Sequence, residues 1–129
     1  MLAAGHRLTD PELFRVASRR GRRAGSRTLV AHLLLPAEQQ VSGMSGGTPD
    51  PAPVQVGFVV SKAVGGAVVR NRVKRRLRHA MRDRVTALPA RSVLVVRAQP
   101  PAAAASYPEL LDDLDRCLDR VRAEQREAR

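Results

Sequence analysis

Apolar residues recur along the chain in helix-like and strand-like runs separated by polar breaks. Leu8-Thr9-Asp10-Pro11-Glu12-Leu13 opens the first helix: Thr9 is placed to cap it, Glu12 stands three residues on to close a capping box, and Leu8 can staple onto Leu13. That helix should end near Gly21. The run from Thr28 to Leu35 is short and β-branched at its start, which suits a strand. Residues 36–53 hold four prolines, three glycines and three small hydroxyl residues among 18 positions, too polar and broken to pack, so a mobile hairpin loop is expected there. A strand resumes with Val54, Val56, Phe58 and Val60 on one face by the two-residue period. Antiparallel pairing with the first strand across the loop is the simplest arrangement.

After Gly65-Gly66, a tight strand-to-helix turn, the period changes to that of a helix. Val69, Val73, Leu77 and Ala80 fall within one narrow arc with Met81 at its edge, and Pro89 lies beyond where this helix must have ended. Ser92-Val93-Leu94-Val95-Val96-Arg97-Ala98 is nearly continuously apolar, which implies cover on both faces or an interior position, and Pro100-Pro101 terminates it. A second capping-box pattern, Ser106-Tyr107-Pro108-Glu109, opens the last helix, in which Leu110, Leu111, Leu114, Cys117, Leu118 and Val121 repeat at helical spacing. The order helix, strand, strand, helix, strand, helix, with room for an extra strand, predicts an α+β fold: a small, mainly antiparallel sheet packed with helices in an α/β sandwich. No internal repeat is visible, and 129 residues suffice for one domain and one core.

Composition narrows the function. The formal net charge is +11, from 23 basic and 12 acidic residues, and only Lys62 and Lys74 among the basic ones are lysine. Such an excess favours a polyanionic partner, with nucleic acid first and an anionic membrane surface second. No apolar run approaches the roughly 20 residues of a spanning helix, and the first seven residues have no hydrophobic signal region, so a soluble, cytoplasmic protein is expected. Cys117 is the one cysteine, which rules out an intrachain disulfide and a cysteine zinc site, and its spacing places it in the core. His6, His32 and His79 show no ligand spacing, so no metal site is expected in the protein.

The charge is also concentrated. From Gln55 to Arg82 there is no acidic residue, against eight cations: Lys62, Arg70, Arg72, Lys74, Arg75, Arg76, Arg78 and Arg82. Arg70, Lys74, Arg78 and Arg82 recur every four residues and form one row on the helix, with Asn71 and Arg75 alongside and the apolar arc expected roughly opposite. The bland alternative is a solvated helix face, but a face without a single acid is self-repelling until phosphates convert it into charge-assisted contacts. With only Phe14, Phe58 and Tyr107 as aromatics, binding cannot rest on many stacking platforms and should depend on phosphate contacts and shape. Phe58 belongs to the inward strand face, and Phe14 alone would read as a core residue of the first helix. No nucleophile with a base, no carboxylate pair beside the basic region and no P-loop is present, so no catalytic residue is expected in the protein.

The stretch from Val56 to Arg78, with Ser61-Lys62 and Gly65-Gly66 at the turn and Arg70-Asn71-Arg72 as its hallmark, closely resembles the signature of the bacterial ribonuclease P protein. Arg7-Leu8, then Phe14 and Gly21, resemble that family's N-terminal helix, and the order of elements agrees over nearly the whole chain except the 36–53 loop. The resemblance implies a single domain over residues 1–129 and a left-handed crossover around the signature helix, against the usual preference. It implies the protein subunit of an endoribonuclease whose chemistry is carried by the RNA subunit with its magnesium ions, removing the 5′ leader from precursor tRNA. The implied partners are the catalytic RNA and precursor tRNA, with no membrane and no obligatory protein partner.

By the same resemblance Arg70, Asn71, Arg72, Lys74, Arg75 and Arg78 face the catalytic RNA, and Lys62 joins that surface. A cleft between the first helix and the sheet receives the single-stranded leader, with Phe14 as an aromatic contact. Ser18 stands one helical turn later, where some members carry a second aromatic, and His32 stands at a position often tyrosine. These departures imply weaker leader stacking, or its partial replacement by His32. A ribosomal or RNA-chaperone protein would share the charge but not the signature's strand, turn and helix context. A basic-helix DNA-binding protein would want a dimerisation element, and the last helix is too short and irregular in heptads for a zipper.

Overall fold

Along each strand, alternate side chains are gathered into two separate apolar clusters, one on each face of a four-stranded sheet. The computed structural model describes residues 7–35, 54–89 and 91–127. The elements run α1 (Pro11–Arg20), β1 (Arg22–Gly25), β2 (Leu29–Leu34), β3 (Gln55–Val59), α2 (Ala67–Arg82), β4 (Val93–Ala98) and α3 (Tyr107–Glu127), with 3-10 turns at Val85–Ala87 and Pro100–Ala103. The expected loop at 36–53 lies outside the described residues. The extra strand is β1, too short and too arginine-rich to announce itself by alternation.

The expected hairpin between β2 and β3 does not form. The sheet order is β1-β2-β4-β3: β4 lies between them, antiparallel to β2 and parallel to β3. The physical reason is burial. Val93 to Val96 are all buried, so this strand takes an interior place, whereas β3, with Gln55, Phe58 and Val59 half-buried, takes an edge. Two of the three pairings are antiparallel, and the parallel one needs a crossover, which α2 supplies. The outer edge of β3 is partly closed where the Leu8 amide donates to the Val56 carbonyl at 2.9 Å.

On one face α2 and α3 cover the larger cluster, built from Leu29, Leu33, Val56, Leu77, Leu94 and Leu114 among others. On the other, α1 covers Leu34, Val93 and Val95, with Leu8 and Ala17 completing the buried set and Leu13, Phe14, Val16 and Val59 packed around it. The start of α1 differs from expectation in one residue: Asp10, not Thr9, is the N-cap, its carboxylate accepting from the Glu12 amide at 2.9 Å. Gly21 ends α1, its amide donating to the Ala17 carbonyl at 2.9 Å. The second capping box forms as read. The Ser106 amide donates to Glu109 Oε1 at 2.8 Å and the Glu109 amide to Ser106 Oγ at 3.3 Å. Cys117 is buried in the larger cluster, where burial pushes its thiol above the ordinary range.

Candidate nucleic-acid interface

The α2 helix buries Val73, Leu77, Ala80 and Met81, and this fixes which cations can point outward. At about 100° per residue, Arg70 falls inside that buried arc, between Leu77 and Met81, and each step of four carries the row about 40° further away. The row therefore flanks the apolar arc instead of standing opposite it. Arg70 and Lys74 are half-buried, Arg70 with its Nε enclosed, while Arg78 and Arg82 are exposed. The most open side of the helix carries Asn71, Arg75 and Arg78, with Val68 exposed between them at 80%. Lys62 is exposed in the turn before the helix, where the Gly65 amide donates to its carbonyl at 3.2 Å.

Two arginines of this helix are used partly within the protein. Arg72 Nη2 donates to the Ala103 carbonyl and Arg76 Nη1 to the Ala105 carbonyl, both at 3.2 Å, and so tie α2 to the segment that leads into α3. At the far end Arg84 donates from Nε to Asp115 Oδ1 at 2.6 Å and from Nη2 to Oδ2 at 3.1 Å, a two-pronged pair that raises the guanidinium's affinity for its proton. Acids lie mainly on α3: Glu109, Asp112, Asp113, Asp115, Asp119, Glu124 and Glu127. Arg27 and Arg84 answer Glu109 and Asp115, so α3 is a charge-balanced flank and α2 an unbalanced one. The open groove of about 600 Å³ between the β1–β2 turn and α3 is lined by Arg27, Arg116, Arg120, Asp113 and Asp119, a mixture of signs that does not favour a polyanion.

The opposite face of the sheet carries the other predicted residues. Phe14 is half-buried, its ring lying against β3 at Gly57; a Cβ added there would meet Phe14 Cζ at 2.3 Å and Leu8 Cδ2 at 3.0 Å. Gly57 is thus the gap into which the ring fits. Ser18, one turn further along α1, is half-buried too. On β2, Leu29, Ala31 and Leu33 join the larger cluster and Leu34 the smaller one, so His32 faces the α1 side by alternation. Phe14, Ser18 and His32 therefore share one side of the sheet, away from the α2 row.

His32 is only 8% exposed, and its Nδ1 is enclosed with no hydrogen-bond partner. Burial lowers its pKa below the ordinary 6.5, and the neighbouring charges of Arg23 and Arg97 lower it further. These two arginines were not singled out from the sequence. Arg97 carried a usable signal: it is the one cation in a strand otherwise apolar at every position from Val93 to Ala98, and it is the one exposed residue there. Arg23 carried none, because its position opposite His32 follows from the register of a strand that alternation does not reveal.

Among the described residues no group of three His, Cys, Asp or Glu side chains could hold a metal ion, and no helix is long and apolar enough to cross a membrane. The arrangement offers two cationic surfaces on opposite faces of one sheet.

Comparison with known proteins points one way. The ribonuclease P family model matches residues 2–122. The ribonuclease P protein component of a Nocardioides species is 58% identical over 126 residues, covering 96% of this chain and 97% of that one. That of Streptomyces avermitilis is 53% identical over 122 residues, covering 94% and 95%. Among solved structures, the RNase P protein of Staphylococcus aureus matches with a TM-score of 0.71 at 22% identity, covering 88% of this chain and 93% of that one. The Thermotoga maritima RNase P protein gives 0.63 at 18%, covering 84% and 90%. These two likenesses concern the fold alone.

Proposed function

Since the chain belongs to the ribonuclease P protein family by the match over residues 2–122 and by its close relatives, we propose that it uses the two faces of its sheet to hold two different RNAs. It is the protein component of an endoribonuclease that matures tRNA 5′ ends with an RNA subunit. The α2 surface, through Lys62, Arg70, Asn71, Arg72, Lys74, Arg75 and Arg78, binds the RNA subunit. The surface between α1 and the sheet, through Phe14, Ser18 and His32, takes the single-stranded leader of precursor tRNA. The chain acts as one domain, in the cytoplasm.

The observation that carries this reading is the uncompensated charge of α2. No acid lies between Gln55 and Arg82, and two acids of α3, Glu109 and Asp115, are answered by Arg27 and Arg84, neither of which is on α2. A helix that repels itself in isolation is matched to a string of phosphates. In this reading the chemistry belongs to the RNA subunit and its magnesium ions, as membership of the family implies. What this chain contributes is position: a basic helix that screens phosphate repulsion where RNA strands crowd, and a second surface that keeps the leader extended.

The test is cleavage of a precursor tRNA at low magnesium by RNA subunit from the same source, with and without the protein. Faster leader release only with both present supports the reading. Cleavage by the protein alone, or tight binding without stimulation, refutes it.

A further inference from the structure

Three residues on the α1 side of the sheet have chemistry that stacking does not use. Arg23 of β1 is the register partner of His32 on β2, and Arg97 of β4 is the partner of Val30, two residues from His32 on the same side. Directly opposed and diagonal cross-strand neighbours are within reach of a long side chain. Arg23 and Arg97 are exposed, whereas the imidazole between them is buried and its Nδ1 has no hydrogen-bond partner. A buried ring nitrogen with no partner is the exception in folded proteins and calls for a group that is not part of the chain.

No carboxylate among the described residues fills that role. The charges acting on His32 are Arg23 from β1 and Arg97 from β4, both of which disfavour its protonation. The charged residues of α1, Glu12, Arg15, Arg19 and Arg20, are exposed, and Glu12 is paired with Arg15. Among the described residues the arrangement is thus two guanidiniums around a neutral imidazole, with no carboxylate acting on it.

We propose that Arg23, His32 and Arg97 form a phosphate subsite for the leader backbone, and that filling it loads a proton onto His32. The proposal rests on the reading of this side of the sheet as the leader surface. A phosphodiester oxygen between the guanidiniums cancels the charges that keep the ring neutral and accepts a hydrogen bond from its N–H. The phosphodiester keeps its single negative charge, no bond to phosphorus changes, and the proton comes from solvent. His32 in the free protein titrates below 6.5 and titrates higher in the complex, so binding takes up a proton between those two values. Affinity for the leader therefore strengthens as pH falls through the bound value and levels off below the free one. Because a backbone group is gripped, this subsite is indifferent to the base attached to it.

The experiment measures equilibrium binding of the holoenzyme to precursor tRNA and to mature tRNA, under conditions that do not cleave, from about pH 8 to about pH 5.5. The ratio of the two affinities isolates the leader. In the wild-type protein that ratio should rise by at most about tenfold per pH unit, the limit for one proton. With His32→Gln it should be flat, and with Arg23→Ala and Arg97→Ala together it should be lower throughout. A leader carrying neutral methylphosphonates should abolish the rise in the unaltered protein, an arm that needs no variant to fold. A flat wild-type ratio with the leader still adding affinity overturns the subsite and leaves the leader surface standing. A slope that persists in His32→Gln, or with the neutral leader, overturns it as well. No difference between the two RNAs at any pH overturns the leader surface itself.

Discussion

On the α2 side of the sheet the cations stand on a helix whose inner face is sunk in the larger apolar cluster. On the α1 side they stand on strands, beside a helix held by a cluster of Leu8, Ala17, Leu34, Val93 and Val95. The first surface carries cations without an acid among them; the second is partly apolar, with Leu13, Phe14 and Val16 half-buried, and holds a buried imidazole. A folded, structured RNA presents many phosphates at once and suits the first. A single strand presents one phosphate and one base at a time and suits the second.

Substitutions that damage one side and spare the other measure how far this division holds. The largest effect is expected from the core under α2: Leu77→Ala should cost about 2–5 kcal/mol in urea unfolding, and Leu8→Ala under α1 about 2 kcal/mol, because a site near the margin of a small cluster collapses more readily. Equal costs would show that both sides are held with equal stiffness. Next, replacing Arg70, Arg72, Arg75 and Arg78 together by alanine should leave the circular dichroism spectrum unchanged. The same variant should lower RNA-subunit affinity about a hundredfold at moderate salt and flatten its log-log salt slope by roughly one unit per lost phosphate contact. Unchanged salt dependence would remove these residues from the interface. Within that set, Arg72→Ala should lose less than Arg78→Ala, since Arg72 is already engaged with the Ala103 carbonyl.

On the other side, Gly57→Val should expel the Phe14 ring from its seat on β3 and lower the advantage of precursor over mature tRNA about tenfold, the scale of one base–aromatic stack. Affinity for the RNA subunit should not move, and if it falls in parallel the two surfaces are not separable. Ser106→Ala serves as a reference on neither side: it removes one half of the capping box at α3, costs about 1 kcal/mol by thermal unfolding and leaves both RNA affinities intact. The smallest effect is on the free protein's stability against pH. His32 is depressed in the folded state, so the unfolded chain binds more protons between the folded value and 6.5, and stability declines as pH falls through that window. The decline should be absent in His32→Gln, as followed by urea midpoints.

Much of this division could be read from residue order alone, and the failures have a common cause. Helices α1, α2 and α3 and strands β2 and β4 follow from local periodicity, capping residues and breakers, all of which are properties of neighbouring residues. The α2 cations are likewise local, because a helix converts spacing into a face directly, although the drift of about 40° per four residues places Arg70 and Lys74 nearer the core than the simple row suggests. What local pattern does not carry is which strand lies beside which. Chain proximity favoured β2 beside β3, but the doubly buried strand 93–98 comes between them. The same blindness hid Arg23 and Arg97, whose meaning lies in register with a residue on another strand. Phe14 and His32 were found only through the family resemblance, since each alone reads as a packed residue.

The interior position of β4 also sets the order in time in which the molecule can assemble. It is the last strand to be synthesised, and β3 depends on it for its one neighbour in the described sheet. Until residues 93–98 leave the ribosome, β3 has no strand to pair with and the apolar arc of α2 has no completed sheet to lie on. Only α1 and the β1–β2 pair can form from contacts close in sequence. The basic helix is therefore made early and secured late, and closure waits on contacts far apart in the chain, which slows folding relative to a helical protein of this size. A chain released after Leu88 should show no cooperative unfolding, whereas one that includes α3 should.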